Sequence, residues 1–129
     1  MSHALNWKPL SSKEEFADML EGSVMKPTMV FKHSPSSPES ARIKESLEQD
    51  WTISPDHLDI FIVDVVKDQE VAYELTENAG VRNEIPQILL FADGVAMYDE
   101  DHEMISVKKI KIALKIINRT FQWLDTRVS

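Results

Sequence analysis

Phe31-Lys32-His33-Ser34-Pro35-Ser36-Ser37-Pro38-Glu39-Ser40 is the stretch whose reading decides the fold of this chain. It grows out of residues 27–32, where Thr28-Met29-Val30-Phe31 forms a short apolar and β-branched run suited to a buried strand. Residues 34–37 are rich in Ser and Pro and read as a turn. Ser37 before Pro38 is a helix start: a serine oxygen can accept one of the unpaired N–H groups of the first turn. Proline is tolerated at the first helical position because its missing N–H would be unpaired anyway. Ala41, Ile43, Leu47 and Trp51 follow at helical spacing and predict a helix over residues 38–50.

On the N-terminal side, Ser12-Lys13-Glu14-Glu15 has the pattern of a capping box, and Phe16, Met19 and Leu20 recur on one helical face. A first helix is predicted over residues 12–21, with Gly22 as its stop. On the C-terminal side, residues 58–66 (Leu-Asp-Ile-Phe-Ile-Val-Asp-Val-Val) read as a strand covered on both faces. Val71, Ala72 and Leu75 mark a helix over residues 68–78, closed by Asn78-Ala79-Gly80. Pro86 opens the run Gln87-Ile88-Leu89-Leu90-Phe91, Asp93-Gly94 makes a hairpin turn, and residues 95–98 return as the partner strand. Ser106 caps a last helix, with Ile110, Ala113, Leu114, Ile117, Phe121 and Leu124 along one face and Lys108, Lys109, Lys111 and Lys115 off it.

The predicted order is helix, strand, helix, strand, helix, strand, strand, helix. Its first half holds a βαβ unit, which demands a parallel strand pair with a right-handed crossover. Its second half ends in an antiparallel hairpin. An α/β domain with a mixed four-stranded sheet and helices on both faces satisfies both demands, and residues 1–129 form one such domain.

Composition narrows the chemistry. Across 129 residues, 43% are hydrophobic and 28% charged, values ordinary for a soluble domain. A net charge of −8 repels phosphate backbones, so no nucleic acid partner is expected. The apolar runs fall far short of the roughly 20 residues of a membrane helix, so no membrane association is expected. The first nine residues have no basic start followed by an apolar run, so no secretory signal is visible and a cytoplasmic location is the default. The chain has no cysteine, which excludes disulfides, thiolate metal sites and thiol catalysis by this sequence. With three glycines it has no phosphate-binding glycine loop, and no cofactor or metal is expected. Asp99-Glu100-Asp101-His102-Glu103 reads as a solvated acidic loop rather than a cation site, and Met97, Met104 and Trp123 as core or rim packing.

The element order is also that of thioredoxin, and two segments make the likeness specific. Residues 30–40, from Val30 to Ser40, resemble the active-site turn of the monothiol bacilliredoxin-like proteins, thioredoxin-fold proteins of the bacillithiol system. Those proteins carry Phe-Lys-His-Ser and then Cys-Pro-x-Ser at the helix mouth. Ser37 stands where that family has its cysteine, and Ser40 matches the family's serine. Gly80-Val81-Arg82-Asn83-Glu84-Ile85-Pro86-Gln87 is similar to the family's Gly-Val-x-x-x-x-Pro-Gln stretch. The resemblance implies a proline that is cis and faces the active-site turn. It covers nearly the whole chain, from Trp7 to the last helix.

A thiolate at a helix N-terminus is stabilised by unpaired N–H groups and by the helix dipole, so its pKa falls. A serine hydroxyl there is far too weak an acid to ionise and cannot form a mixed disulfide. It would need a general base, and His33, four residues earlier, has no identifiable partner to orient it. Asp59 and Asp64, on or near the second strand, align with no proton-shuttling role. The resemblance therefore implies Ser37 and Ser40 at the family's catalytic positions, and His33, Ser34, Pro38, Ile85 and Pro86 as substrate-binding residues. The expected function is a thioredoxin-fold protein of the bacillithiol/thiol redox type without its reactive sulfur. It would be redox-inactive and bind a peptide or protein at the groove, with low-molecular-weight thiol adducts as a further ligand class. The alternative is a thiol-disulfide oxidoreductase for de-bacillithiolation whose native cysteine is replaced by Ser37. The chain is expected as a monomer or weak dimer, with Phe121, Trp123 and Leu124 of the last helix as a surface for self-association.

Overall fold

The computed structural model describes residues 5–121. In chain order the elements are β1 (Lys8–Pro9), α1 (Lys13–Gly22), β2 (Thr28–His33), α2 (Pro38–Asp50), β3 (Asp59–Asp64), α3 (Gln69–Ala79), β4 (Gln87–Ala92), β5 (Val95–Asp101), one turn of 3-10 helix (His102–Met104) and α4 (Val107–Phe121). The sheet runs β1-β3-β2-β4-β5. β1, β3 and β2 are parallel, β4 is antiparallel to β2, and β5 is antiparallel to β4.

The sheet has five strands where the sequence predicts four. The added strand is two residues long and pairs Lys8 with Phe61 and Pro9 with Ile62. So short a piece has no period of its own, and a proline that cannot donate to a ladder is at home on an edge.

Alternation along the two central strands divides the core. β2 and β4 are buried at every position. Met29, Phe31, Ile88 and Leu90 face α2 and α4, meeting Ile43, Leu47, Ile110, Leu114 and Ile117. Val30, Leu89 and Phe91 face the other way, onto Phe16 and Met19 of α1 and Val71 and Leu75 of α3. Helices on both faces follow from this two-sided burial.

The caps explain the helix starts. Ser12 accepts the Glu15 N–H, while Glu15 Oε1 takes the Ser11 N–H at 2.7 Å. Ser106 accepts the Lys109 N–H at 3.2 Å. Gly80 closes α3 at φ 69°, the left-handed region that glycine enters without penalty. Gly22 is not such a stop: it is the last residue of α1, and Ser23 caps the helix in a right-handed conformation. The Asp93-Gly94 turn has φ of 54° and 78°, the two positive values of a tight hairpin.

Three further expectations are corrected. β3 ends at Asp64 because its carboxylate accepts the Val66 and Lys67 N–H groups and turns the chain. Ala41 is exposed, and Ser40 takes the buried place beside it. Residues 99–101 extend β5 instead of forming a loop, pairing with Leu89, Ile88 and Gln87. An edge strand tolerates such acids, and charge there discourages pairing with another chain. Met97 and Met104 lie on the exposed rim. Trp123 and Leu124 lie outside the described residues. Among the described residues no helix is long and apolar enough to cross a membrane.

Candidate functional site

The site forms where β2 runs out and α2 begins. The Ser37 N–H donates to Ser34 O at 3.0 Å, closing the turn, and Ser37 O takes the first helical bond from Ala41 N at 3.0 Å. Ser37 itself is extended, with φ −90° and ψ 120°, and its Oγ accepts the Ser40 N–H at 3.2 Å. Its hydroxyl oxygen is thus the N-cap of α2, with Pro38 behind it.

Ser40 holds the turn from within. Its buried Oγ accepts the Ser34 N–H at 3.1 Å and lies 2.6 Å from His33 Nδ1. All three groups are satisfied when the hydroxyl donates to Nδ1, which leaves the ring proton on Nε2. Burial pushes the His33 pKa down, Lys44 adds to this, and Asp64 and Glu48 oppose it, so the ring is held neutral. His33 stacks on Phe31 at 5.4 Å, and Phe31 meets Trp7 at 5.4 Å. The hydrogen bond of His33 thus goes to Ser40, while Ser37 Oγ is engaged as the cap. That arrangement gives Ser37 no general base.

The facing wall is the segment before β4. The register pairs Lys32 with Gln87, so the next position sets Pro86 beside His33 and the turn toward Ser37. The Ile85–Pro86 peptide bond is cis. Pro86 is buried and Ile85 half-buried. Ser34, Ser37 and Ser40 thus lie in one turn with His33 and Pro38, and the register carried one position past Lys32 and Gln87 sets Pro86 next to His33.

Two features escape a reading of the sequence alone. The first is Lys32, fully buried in the sheet. Its ammonium donates to Thr76 Oγ1 at 2.8 Å, Asn83 Oδ1 at 2.6 Å and Gln87 Oε1 at 2.9 Å. Three protons meet three neutral acceptors, and two of these residues flank Pro86. Burial pushes the pKa of Lys32 down to about 8, with Glu84 pulling it up. A signal existed: a lysine inside a strand covered on both faces has nowhere exposed to go. The second is His102, whose Nδ1 lies 3.0 and 3.1 Å from the Glu39 oxygens and whose Nε2 lies 3.1 Å from Glu84 Oε1. Its backbone N–H donates to Pro86 O at 3.1 Å. Tertiary contact alone reveals this, because residues 39, 84 and 102 share no sequence period.

The remaining acids have structural partners. Asp59, in register with Thr28 and so at the end of β3 away from the site, pairs with Lys26 at 3.1 Å and Lys8 at 3.6 Å. Asp64 is opposite His33 and caps the chain reversal beyond it. Glu103 forms a two-pronged pair with Arg42 at 2.7 and 3.2 Å. Among the described residues no three His, Asp or Glu side chains are arranged to hold a metal ion.

A hollow of about 310 Å³ flanks the Pro86 side of the site, lined among others by Val65, Tyr73, Thr76, Asn83 and Ile85. Thr76 and Asn83 therefore serve twice, holding Lys32 behind and lining this hollow in front.

Comparison with known proteins places this geometry. Of the solved structures, a thioredoxin-fold protein described as a candidate oxidoreductase superposes with a TM-score of 0.71 at 26% identity, over 81% of this chain and 90% of that one. The thioredoxin of Malassezia sympodialis superposes at 0.65 with 18% identity, over 88% of this chain and 95% of its own. The thioredoxin of Trypanosoma brucei brucei does so at 0.69 with 12% identity, over 88% and 92%. These last two share the fold alone. No curated protein sequence matches the chain. The family model of the monothiol bacilliredoxin BrxC matches residues 8–110, a stretch that runs from β1 into α4 and contains the turn at residues 34–40, Pro86 and His102. This chain, which has no cysteine, belongs to the monothiol bacilliredoxin family.

Proposed function

We propose that this chain is a binding module of the bacilliredoxin type, which holds an extended peptide or protein segment in the groove between Ser37 and Pro86 without exchanging disulfides. The observation that carries the reading is an intact frame around an oxygen. The turn, the Ser40–His33 bond and the Lys32-anchored segment before Pro86 are all in place. The one atom at the helix mouth is a capping hydroxyl. A docked segment would pair its backbone with that of Ile85, in the manner of an added strand, and extend toward the hollow beside Ile85. A peptide whose cysteine carries a low-molecular-weight thiol as a mixed disulfide is the ligand class that family membership favours.

The second reading is de-bacillithiolation by a Ser37→Cys form. There the introduced thiolate would attack the bacillithiol sulfur of the mixed disulfide. The protein thiolate would leave and take up a proton, and bacillithiol would remain disulfide-bonded to the chain. The α2 N-terminus favours it, since its N–H groups and dipole stabilise a thiolate.

One experiment separates the two. A fluorescent peptide with a single cysteine, bacillithiolated at that cysteine, is titrated into the chain and into Ser37→Cys. The binding module predicts saturable binding to the serine form, lost in Ile85→Pro, and slow or no transfer in Ser37→Cys. Rapid transfer by Ser37→Cys, with no binding to the serine form, overturns it in favour of the oxidoreductase.

A further inference from the structure

His102 joins the two walls of the groove, and it does so by contacts that depend on a proton. Its ring reaches Glu39 in the first turn of α2, two residues past Ser37, through Nδ1 at 3.0 and 3.1 Å. The same ring reaches Glu84, two residues before Pro86, through Nε2 at 3.1 Å. A neutral imidazole has one N–H; only the imidazolium can donate to both carboxylates. The His102 backbone N–H donates to Pro86 O at 3.1 Å, a bond that does not involve the ring proton.

We propose that His102 is a protonation-dependent clasp on the site, tying the start of α2 to the segment before Pro86 when charged and releasing one wall when neutral. This rests on the groove between those walls being the binding site. On deprotonation one ring nitrogen turns a lone pair toward a carboxylate, so that contact changes from attraction to repulsion. The groove walls then keep the backbone bond to Pro86 and lose one side-chain tie. A segment docking there must reorder a looser wall, and its affinity falls.

The charges around the ring favour the charged clasp. Glu84 and Glu39 face it from the Pro86 segment and from α2, and Asp101 lies next to it at the end of β5. Glu103, in the same 3-10 turn, is tied to Arg42 of α2. The hydrogen bonds to Glu84 and Glu39 hold the His102 pKa above its ordinary 6.5. The clasp is therefore closed below that ordinary value and opens as the pH rises through the higher one.

The test follows His102 ring protons and backbone amides by NMR from pH ~5.5 to ~8.5, with binding of the bacillithiolated peptide measured in parallel. The Ile85, Gln87 and Ser40 amides are expected to shift with the midpoint of the His102 ring. Peptide affinity is expected to weaken ~2- to 5-fold over the same midpoint, the factor a partly exposed ion pair supplies. In His102→Gln, which cannot titrate, both changes vanish while the spectrum stays that of the folded chain. Amides that ignore the His102 titration, or a pH dependence that survives in His102→Gln, overturn the clasp. If the amides follow His102 but the peptide binds at no pH, the clasp stands and the binding groove fails. If the peptide binds equally at every pH and the amides stay still, the groove stands and the clasp fails.

Discussion

Lys32→Met removes a charge that the fold has enclosed. The Lys32 side chain is fully buried, and its ammonium is shared among Thr76, Asn83 and Gln87. Its pKa falls from 10.5 to about 8, chiefly through burial. Between those two values the folded chain has given up the proton and the unfolded chain keeps it. The unfolded state then binds more protons, so stability rises with pH across the window. The linkage relation gives a gain of ~1.4 kcal/mol by pH ~9 and ~2.6 kcal/mol by pH ~10 over the value at pH ~7. Methionine has no proton to lose, so the gain is absent from the variant. Groups that titrate in both proteins cancel in the difference. At pH ~7 two effects oppose each other. Removing the buried charge relieves ~3 kcal/mol. Leaving the buried Thr76 and Gln87 oxygens without a donor costs ~1–3 kcal/mol each. At pH ~7 the variant therefore lies between ~1 kcal/mol more stable and ~3 kcal/mol less stable than the parent, and the difference moves against it by ~2.6 kcal/mol at pH ~10. Urea unfolding followed by tryptophan fluorescence measures this, since Trp51 is 1% exposed and reports the core. A stability difference that stays constant from pH ~7 to ~10 refutes the enclosed ammonium.

Other perturbations probe the rest of the frame. Ser40→Ala strips the Ser34 N–H and His33 Nδ1 of their shared partner and is expected to cost ~1–3 kcal/mol, read as a lower Tm. His33→Phe keeps an aromatic ring on Phe31 and removes a group whose pKa is lowered by burial. That group contributes stability above pH 6.5 which is lost as the pH falls through its folded value, so the variant shows a flatter acid limb in urea unfolding. Ser37→Cys places a thiol at the α2 N-terminus, and its thiolate absorbance is expected to titrate below the ordinary value of about 8.5; a midpoint at or above that value refutes the helix-mouth argument. Gly80→Ala meets no atom within 4 Å yet must adopt φ 69°, so calorimetry should show a loss of ~1 kcal/mol from backbone strain alone.

Much of the site was legible in residues 31–40. A strand, a Ser-Pro turn and a Ser-Pro helix start can be read locally, because caps and proline positions are decided by the few neighbouring backbone groups. The hairpin at Asp93-Gly94 and the αL stop at Gly80 were legible for the same reason. The same logic misjudged Gly22, where a right-handed Ser23 does the capping. The strand at Lys8–Pro9 was invisible, since its two residues exist as a strand only through their pairing with Phe61 and Ile62. The acidic run at 99–103 was read as solvated loop by composition, yet pairing with β4 draws its first half into the sheet.

What the sequence determined by itself is therefore the frame: the element order from α1 onward, the two-sided central strands, and a serine oxygen at the mouth of a helix in a chain with no sulfur nucleophile. Those properties follow from local periodicity and from residue chemistry, which need no partner distant in the chain. What only the tertiary structure decided is how that mouth is held. Ser40, rather than Ser37, takes His33. Lys32 is enclosed by residues 44 to 55 positions away. His102 links Glu39 of α2 to Glu84 of the segment before Pro86. Such ties form when the sheet and helices pack, and their energies depend on distance and burial, quantities that a sequence of residue types does not contain.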